Sequence, residues 1–136
     1  MNSAGYSGTP LPRKLGIAAN MRLHARSAPP HYPSLVGPPP PGARWFTRLV
    51  DELHLLHLFV TRRRVLEREL PGLVDRIRRD GMIWVSWPKR ASGQATDVTE
   101  DTVRGVALPL GLVDVKVCAV DETWSALKLV IRRELR

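Results

Sequence analysis

With 136 residues, 43% of them apolar, the chain has the length and composition of one globular domain rather than of a disordered protein. Its formal net charge of +8 favours an acidic partner. Its single cysteine excludes an intrachain disulfide, which is usual for a cytoplasmic protein. The longest apolar run, Leu53 to Val60, is too short to span a membrane, which takes about 20 residues. We therefore expect a cytoplasmic protein that has no membrane contact.

The first third of the chain is basic and rich in proline. Residues 1–20 are polar and predict an N-terminal arm, and the weak alternation of Met21 to Ala25 predicts a first strand in a domain spanning residues 21–136. Residues 27–42 hold seven of the twelve prolines and predict an extended loop, because proline fixes φ and cannot donate a hydrogen bond. The first fifty residues contain no Asp or Glu, which is typical either of a solvated arm or of contact with an anionic surface.

The middle of the chain predicts helices around a buried strand. Apolar residues recur at helical spacing between residues 43 and 53 and predict a short helix. Leu53 to Val60 is apolar almost throughout, as expected of a parallel strand covered on both faces. Thr61 is the predicted cap of the next helix, in which Pro71 should introduce a kink before a second segment that ends at Arg79.

The second half of the chain gives the clearest pattern. Met82 to Trp87 is a predicted strand, and Thr99 is the predicted N-cap of a helix that ends near Pro109. Two alternating runs, residues 112–120 and 124–132, are joined by a short turn and predict an antiparallel hairpin. Strands separated by helices form parallel crossovers. The sequence therefore predicts a single three-layer Rossmann-like α/β domain, with a mostly parallel sheet and a C-terminal antiparallel hairpin.

Two resemblances accompany this pattern. Three features resemble a shortened class I methyltransferase-type Rossmann fold. They are the boundary at Arg79-Asp80-Gly81, the helix after Asp97 and the closing hairpin. From about Gly81 onward the chain resembles more closely a family of small uncharacterised bacterial proteins, domain of unknown function 3052. No activity is attached to that family, so the resemblance implies a fold and not a reaction. The similar segments are Trp84-Val85-Ser86-Trp87-Pro88-Lys89, Ser92-Gly93, Thr99-Glu100-Asp101 to Arg104, and Gly111 to Cys118 with Asp121, Trp124 and Ser125.

The resemblance to methyltransferases stops at their cofactor loop. In those enzymes S-adenosylmethionine lies on a glycine-rich loop after the first strand, whereas here Leu23 is followed by His24-Ala25-Arg26-Ser27-Ala28-Pro29-Pro30. No Gly-x-Gly sequence lies there, and no acidic residue follows the next strand to bind a ribose. We therefore expect no cofactor, S-adenosylmethionine included.

Three loops should leave the sheet at the carboxyl ends of its parallel strands, where α/β proteins bind ligands. Two of these loops carry clustered cations, and the last also has small polar residues ahead of a helix N-terminus, a combination that favours anions. The alternative is a solvated basic rim. For the tryptophan at the end of the strand, the alternative to stacking on a ring is packing in the core. The predicted ligand-binding residues are Trp87, Lys89, Arg90, Ser92, Gly93, Thr96, Arg62 and Arg63.

No catalytic or metal-binding pattern accompanies these loops. His54 and His57 would point to opposite faces of a strand, and no His lies near Cys118 in the sequence to activate it. The preferred hypothesis is a non-catalytic domain that binds a protein partner or an anionic ligand at the strand ends. The alternatives are a degenerate methyltransferase-like enzyme acting on an anionic small molecule, and a nucleic-acid-binding protein, which the charge favours although no recognition motif supports it.

Overall fold

The computed structural model describes residues 8–136, which fold around one six-stranded sheet. The order across the sheet is β2-β1-β3-β4-β6-β5, in which β2, β1, β3 and β4 are parallel and β6 is antiparallel to both its neighbours. This confirms the predicted α/β fold with its mostly parallel sheet and C-terminal hairpin. The strands are β1 (Arg22–Arg26), β2 (Arg44–Trp45), β3 (Leu53–Phe59), β4 (Ile77–Pro88), β5 (Leu112–Ala119) and β6 (Trp124–Ile131).

Helices pack on both faces of the sheet. The helices are α1 (Leu11–Leu15), α2 (Tyr32–Val36), α3 (Arg63–Val74) and α4 (Glu100–Ala107). In β3, Leu55 and Phe59 pack in one core with α1 and α2, whereas Leu56 and Leu58 pack in a second core with α3 and α4. The strand is thus apolar on both faces because it has a helical layer on each side.

The two central strands run in the same direction, as predicted. His57 of β3 pairs with Trp84 of β4 in a parallel register. Trp84 is fully buried on the α1 side, where its Nε1 donates a hydrogen bond to the Leu15 carbonyl over 3.0 Å. Trp87 packs in the opposite core, which confirms that the two tryptophans lie on different faces.

Part of the predicted N-terminal arm is folded. Among residues 8–20, α1 buries Leu11 and Leu15 completely, and Gly16 ends this helix in the left-handed conformation with φ 81°. Two leucines in a five-residue helix give little periodicity, so the sequence pattern indicates no more than a short turn near Leu11 to Leu15 within the polar arm. The predicted proline-rich loop likewise contains α2, which buries Tyr32 and Val36. The first seven residues of the predicted arm lie outside the described residues.

The helix predicted for residues 43–53 is wrong. Arg44–Trp45 instead pairs with β1 as a short edge strand, and an irregular segment connects it to β3. Phe46, Leu49 and Val50 pack from this segment against the α3 and α4 core, so their spacing reflects burial and not helix. Glu52 has φ 59°, a left-handed conformation that a helix cannot include. An irregular segment therefore stands beside β1 and β2 where a helix was expected.

The second segment predicted after Pro71 is also wrong. The helix α3 continues through Pro71 to Val74, and β4 already begins at Ile77. The register between β3 and β4 shifts at this point, since Leu53 pairs with Ile77 and Leu55 with Met82. Between Ile77 and Met82, the charged residues Arg78, Arg79 and Asp80 form a partly exposed extension of β4. No alternation of apolar and polar residues marks this extension in the sequence.

Candidate functional site

The two predicted arginines at the start of α3 are exposed at the carboxyl edge of the sheet. The backbone N–H of Arg63 donates to Asp97 Oδ1 over 2.7 Å, and Arg63 Nε donates to Glu67 Oε2 over 3.1 Å. A carboxylate from the loop that follows β4 therefore already occupies the N-terminus of α3. Arg62 makes no ion pair within the described residues.

The polar groups predicted after β4 hold their own loop in place. Lys89 Nζ donates to the Asp121 carbonyl over 2.8 Å, Ser92 Oγ to the Lys89 carbonyl over 2.7 Å, and Thr96 Oγ1 to the Thr61 carbonyl over 2.7 Å. These bonds tie the loop to the hairpin and to the end of β3. We infer that Lys89, Ser92 and Thr96 have a structural role whether or not a ligand binds.

The remaining predicted residues differ in accessibility. Trp87 is only 7% exposed and packs in the α3 and α4 core, so core packing is the observed arrangement. Gly93 is exposed and has φ 77° at the end of a short 3-10 turn. Arg90 is exposed and makes no ion pair within residues 8–136. Of the eight predicted residues, Arg62 and Arg90 are thus the side chains that remain available to an anion at these loops.

A second candidate site lies where the chain changes direction across the sheet. From β1 the chain passes first to β2 on one side and then to β3 on the other, which is the topological switch point at which open α/β sheets bind ligands. A cavity of about 370 Å³ opens there, within the size range of small-molecule sites. We call it the switch-point crevice. It is lined by residues 24–27 at the end of β1, by Thr47, by Leu58 of β3, and by Val65, Arg68 and Glu69 of α3.

His24 is the buried polar residue of this crevice. It is 3% exposed, and its Nδ1 lies 2.8 Å from the Phe46 carbonyl. The other ring nitrogen, Nε2, has no hydrogen-bond partner among the described residues. A buried nitrogen without a partner is costly in a folded protein, so this atom distinguishes the crevice from an ordinary surface groove.

The charged residues of the crevice sum to a positive charge. Arg26 Nε donates to Glu69 Oε1 over 2.7 Å, and Arg68 Nε lies 3.7 Å from the other oxygen of the same carboxylate. Two guanidinium groups thus face one carboxylate. Arginine presents several N–H donors in one plane, so each group can bind Glu69 and an anion at the same time.

An apolar cavity adjoins the crevice on the other side of β1. It has a volume of about 490 Å³ and is lined mainly by prolines, Tyr32, Val36, Trp45 and Phe46. Both cavities include Ala25 and Thr47, so they meet at the end of β1. Beneath the apolar cavity, the Tyr32 hydroxyl lies 2.7 Å from His57 Nδ1, and Ser86 Oγ lies 2.7 Å from His57 Nε2.

A larger cavity, of about 770 Å³, lies at the opposite edge, near the start of β4. Its charged residues contact one another, since Arg78 pairs with Asp80 over 3.0 Å and Arg79 donates to the Leu135 carbonyl over 3.1 Å. Ligands of parallel sheets bind at the carboxyl ends of the strands, so size alone does not make this cavity the functional site.

Sequence reasoning missed the switch-point crevice. In the sequence, His24 and Arg26 stand out only as residues after Leu23 that include no Gly-x-Gly, and nothing singles out Arg68 or Glu69. The available signal was the position of His24 in the sequence, with an arginine two residues away on each side. Its meaning depended on β1 lying beside β3, because only that arrangement brings residue 26 to residue 69.

Two kinds of site have no support in the described part of the chain. No group of three or more His, Cys, Asp and Glu residues in residues 8–136 could hold a metal ion. Over the same residues, none of the helices has the length and apolar character needed to cross a membrane.

Comparison of this chain with known proteins identifies its fold. No family model matches the chain, so its resemblance to domain of unknown function 3052 stays a prediction, and no curated protein matches it either. Solved structures do match, at low identity.

A SAM-dependent methyltransferase from Aquifex aeolicus is 9% identical, with 88% of this chain and 87% of that chain covered and a TM-score of 0.62. A TehB-like SAM-dependent methyltransferase from Corynebacterium glutamicum is 11% identical over 95% and 91%, with a TM-score of 0.54. Fibrillarin from Aeropyrum pernix, solved with bound S-adenosyl-L-methionine, is 12% identical over 93% and 70%, with a TM-score of 0.58. The sheet order, the two helical layers and these neighbours together make the fold a Rossmann-like, methyltransferase-type α/β fold.

Proposed function

We propose that this chain is a non-catalytic, methyltransferase-like domain that binds a small anionic ligand at the carboxyl edge of its parallel strands, in the switch-point crevice. The observation that carries the proposal is the cavity between β1 and β3, in which two arginines face one carboxylate beside a buried histidine. Its position is the one that the topology of open α/β sheets favours.

The basic loops at the ends of β3 and β4 are the second part of this proposal. Arg62 and Arg90 lie on the same edge as the crevice and have side chains free to meet an anion. A cavity of about 510 Å³ lies beside Arg62, but the residues that line it are all exposed: Arg62, Arg63, Arg64, Glu67 and Asp97. The crevice contains a buried polar group, His24, so we place the ligand there and treat Arg62 and Arg90 as part of a basic rim that attracts it.

S-adenosylmethionine, which the fold family suggests, does not fit the residues of the crevice. Close approach of the backbone at the end of β1 needs glycine, but β1 ends at Arg26 and is followed by Ser27, Ala28 and two prolines that cannot donate a backbone hydrogen bond. The carboxylate of the crevice, Glu69, is already bonded to Arg26. We therefore propose binding and no methyl transfer.

The test is a titration of the protein with inorganic phosphate, in which binding is measured by calorimetry and by thermal shift. Arg68→Gln should weaken phosphate binding about three- to tenfold, because it removes one cation from a partly enclosed site. The matched control is Arg133→Gln, which removes the same charge near the opposite edge of the sheet and should change the affinity less than twofold.

Two other results would move or remove the site. If the double variant Arg62→Gln, Arg90→Gln weakens binding and Arg68→Gln does not, the anion binds at the β3 and β4 loops and the crevice assignment is wrong. If an RNA oligonucleotide binds with a steep salt dependence that Arg68→Gln leaves unchanged, while phosphate does not bind, the nucleic-acid alternative replaces this proposal.

A further inference from the structure

The ring of His24 has one defined tautomer when it is neutral. Its Nδ1 lies 2.8 Å from the carbonyl oxygen of Phe46, and a carbonyl oxygen can only accept. Nδ1 must therefore carry the hydrogen. In the neutral ring, Nε2 then presents a lone pair, which makes it an acceptor.

This acceptor lacks a donor within residues 8–136. The side chain is 3% exposed, so bulk water has little access to the ring, and Nε2 has no hydrogen-bond partner there. The partner that such an atom requires is an N–H or O–H group. A metal ion, the other partner of a neutral imidazole, would need further ligands, and the described residues offer no group of three.

We propose that His24 Nε2 accepts a hydrogen bond from a hydroxyl group of the ligand, and that the ligand is therefore a hydroxylated anion of the sugar-phosphate class. This inference rests on the proposed function, because it names the ligand of the same crevice. The arginines at the mouth, Arg26 and Arg68, bind the anionic group, and His24 selects among anions for one that carries a hydroxyl.

The geometry of the crevice fits a ligand that has an anionic group at one end and a hydroxyl group at the other. Arg26 and Arg68 are half-buried and exposed respectively, with 37% and 68% of the side chain accessible, so the charged end lies towards solvent. His24 forms the buried end. The volume of about 370 Å³ is near the lower limit of small-molecule sites, which suits a pentose phosphate better than a dinucleotide.

The experiment compares ribose 5-phosphate with ethyl phosphate, a monoester of similar charge without hydroxyl groups. Ribose 5-phosphate should bind about tenfold more tightly, the effect of one good hydrogen bond to a buried group. In His24→Asn the side-chain amide can still donate to the Phe46 carbonyl, but the acceptor at Nε2 is lost. This variant should bind both phosphates equally, with the affinity for ethyl phosphate within twofold of the parent.

The outcomes separate this inference from the proposed function. If both phosphates bind the parent equally, or if His24→Asn keeps the preference, the assignment to His24 is wrong. If Arg68→Gln still weakens the binding of ethyl phosphate, the proposed function is supported even though the assignment to His24 is wrong. If neither phosphate binds the parent, both proposals fail.

A measurement on the parent chain covers the case in which His24→Asn does not fold. Long-range ¹H–¹⁵N NMR spectra of the imidazole report which nitrogen is protonated and which is hydrogen-bonded. We expect the Nδ1-protonated ring, with an Nε2 resonance that moves upfield on addition of ribose 5-phosphate and not of ethyl phosphate. A ring protonated at Nε2 would donate at that position and would overturn the inference.

Discussion

Tyr32, His57 and Ser86 form a buried hydrogen-bonded chain that joins α2 to β3 and β4. His57 is fully buried between the other two, with 2.7 Å to each, and its ring stacks on Phe59 with 4.3 Å between centroids. Burial lowers the pKa of His57 to about 3. Burial, together with the nearby Cys118, raises the pKa of Tyr32, so its hydroxyl stays protonated. The histidine is therefore neutral in the folded protein at neutral pH.

The depressed pKa of His57 predicts how stability depends on pH. The unfolded chain takes up this proton near pH 6.5, whereas the folded chain does so only near pH 3. Between these values the unfolded state binds more protons, so the free energy of unfolding falls as the pH is lowered through this window, by at most about 1.4 kcal/mol per pH unit from this group. Above pH 6.5 the contribution is complete and constant. Urea denaturation at a series of pH values measures it.

A variant isolates the contribution of this histidine. His57→Phe keeps the stacking on Phe59 but leaves Tyr32 and Ser86 without their partner, which should cost about 2 kcal/mol at neutral pH. Its stability should depend less on pH between 3 and 6.5 than that of the parent. Ser86→Ala removes one of the two hydrogen-bond partners of His57 but keeps the buried ring, whose burial is the cause of the lowered pKa, so it should keep the parental slope. Equal slopes in His57→Phe and the parent would show that another group titrates.

At the scale of elements, the two long helices begin in different ways. The helix α4 has a local cap, since Thr99 accepts from the Thr102 backbone N–H over 3.2 Å and the Thr102 hydroxyl accepts from the Thr99 N–H. This cap was predictable from the sequence. The helix α3 has no side-chain cap of its own, and Asp97 supplies the carboxylate from a loop 34 positions away.

The distant cap of α3 predicts the effect of removing it. Asp97→Ala should destabilise the protein by about 1 kcal/mol, because the backbone N–H of Arg63 loses its acceptor. Asp97→Asn, which keeps an oxygen acceptor, should cost less. Glu122→Ala removes the same charge from an exposed turn and should change the free energy of unfolding by less than about 0.5 kcal/mol. A similar loss in Glu122→Ala would indicate a general charge effect rather than capping.

At the scale of the whole molecule, stability is concentrated at the centre of the sheet. The strands β3 and β4 are hydrogen-bonded on both sides and packed between helical layers, whereas β2 has two residues and β5 is an edge strand with Val115 and Val117 about half exposed. Backbone hydrogen bonds protected on all sides open only when the whole domain unfolds.

Hydrogen exchange should therefore follow the strand order. Amides of β3 and of the part of β4 from Met82 onward should exchange at the rate of global unfolding, and those of β2 and the outward amides of β5 at least about a hundredfold faster. Native-state exchange followed by NMR at several denaturant concentrations measures this. Protection of the outward amides of β5 equal to that of β3 would contradict the prediction, and would indicate that another chain covers this edge.

The sequence by itself determined the features that depend on neighbouring residues. The apolar run of β3, the alternation of the hairpin and the cap at Thr99 each have a local cause, and together they implied the α/β fold. The periodicity of Phe46, Leu49 and Val50 was misleading, because burial of an irregular segment can give the spacing of a helix.

Only the tertiary structure decided which side chains meet. Asp97 reaches the start of α3, Arg26 reaches Glu69, and the ring of His24 lies under a crevice that exists because β1 pairs with β3. Contacts between residues far apart in the chain depend on strand order, which no local pattern encodes. The fold class was predictable from local patterns of the sequence, whereas the switch-point crevice had to be found in the structure.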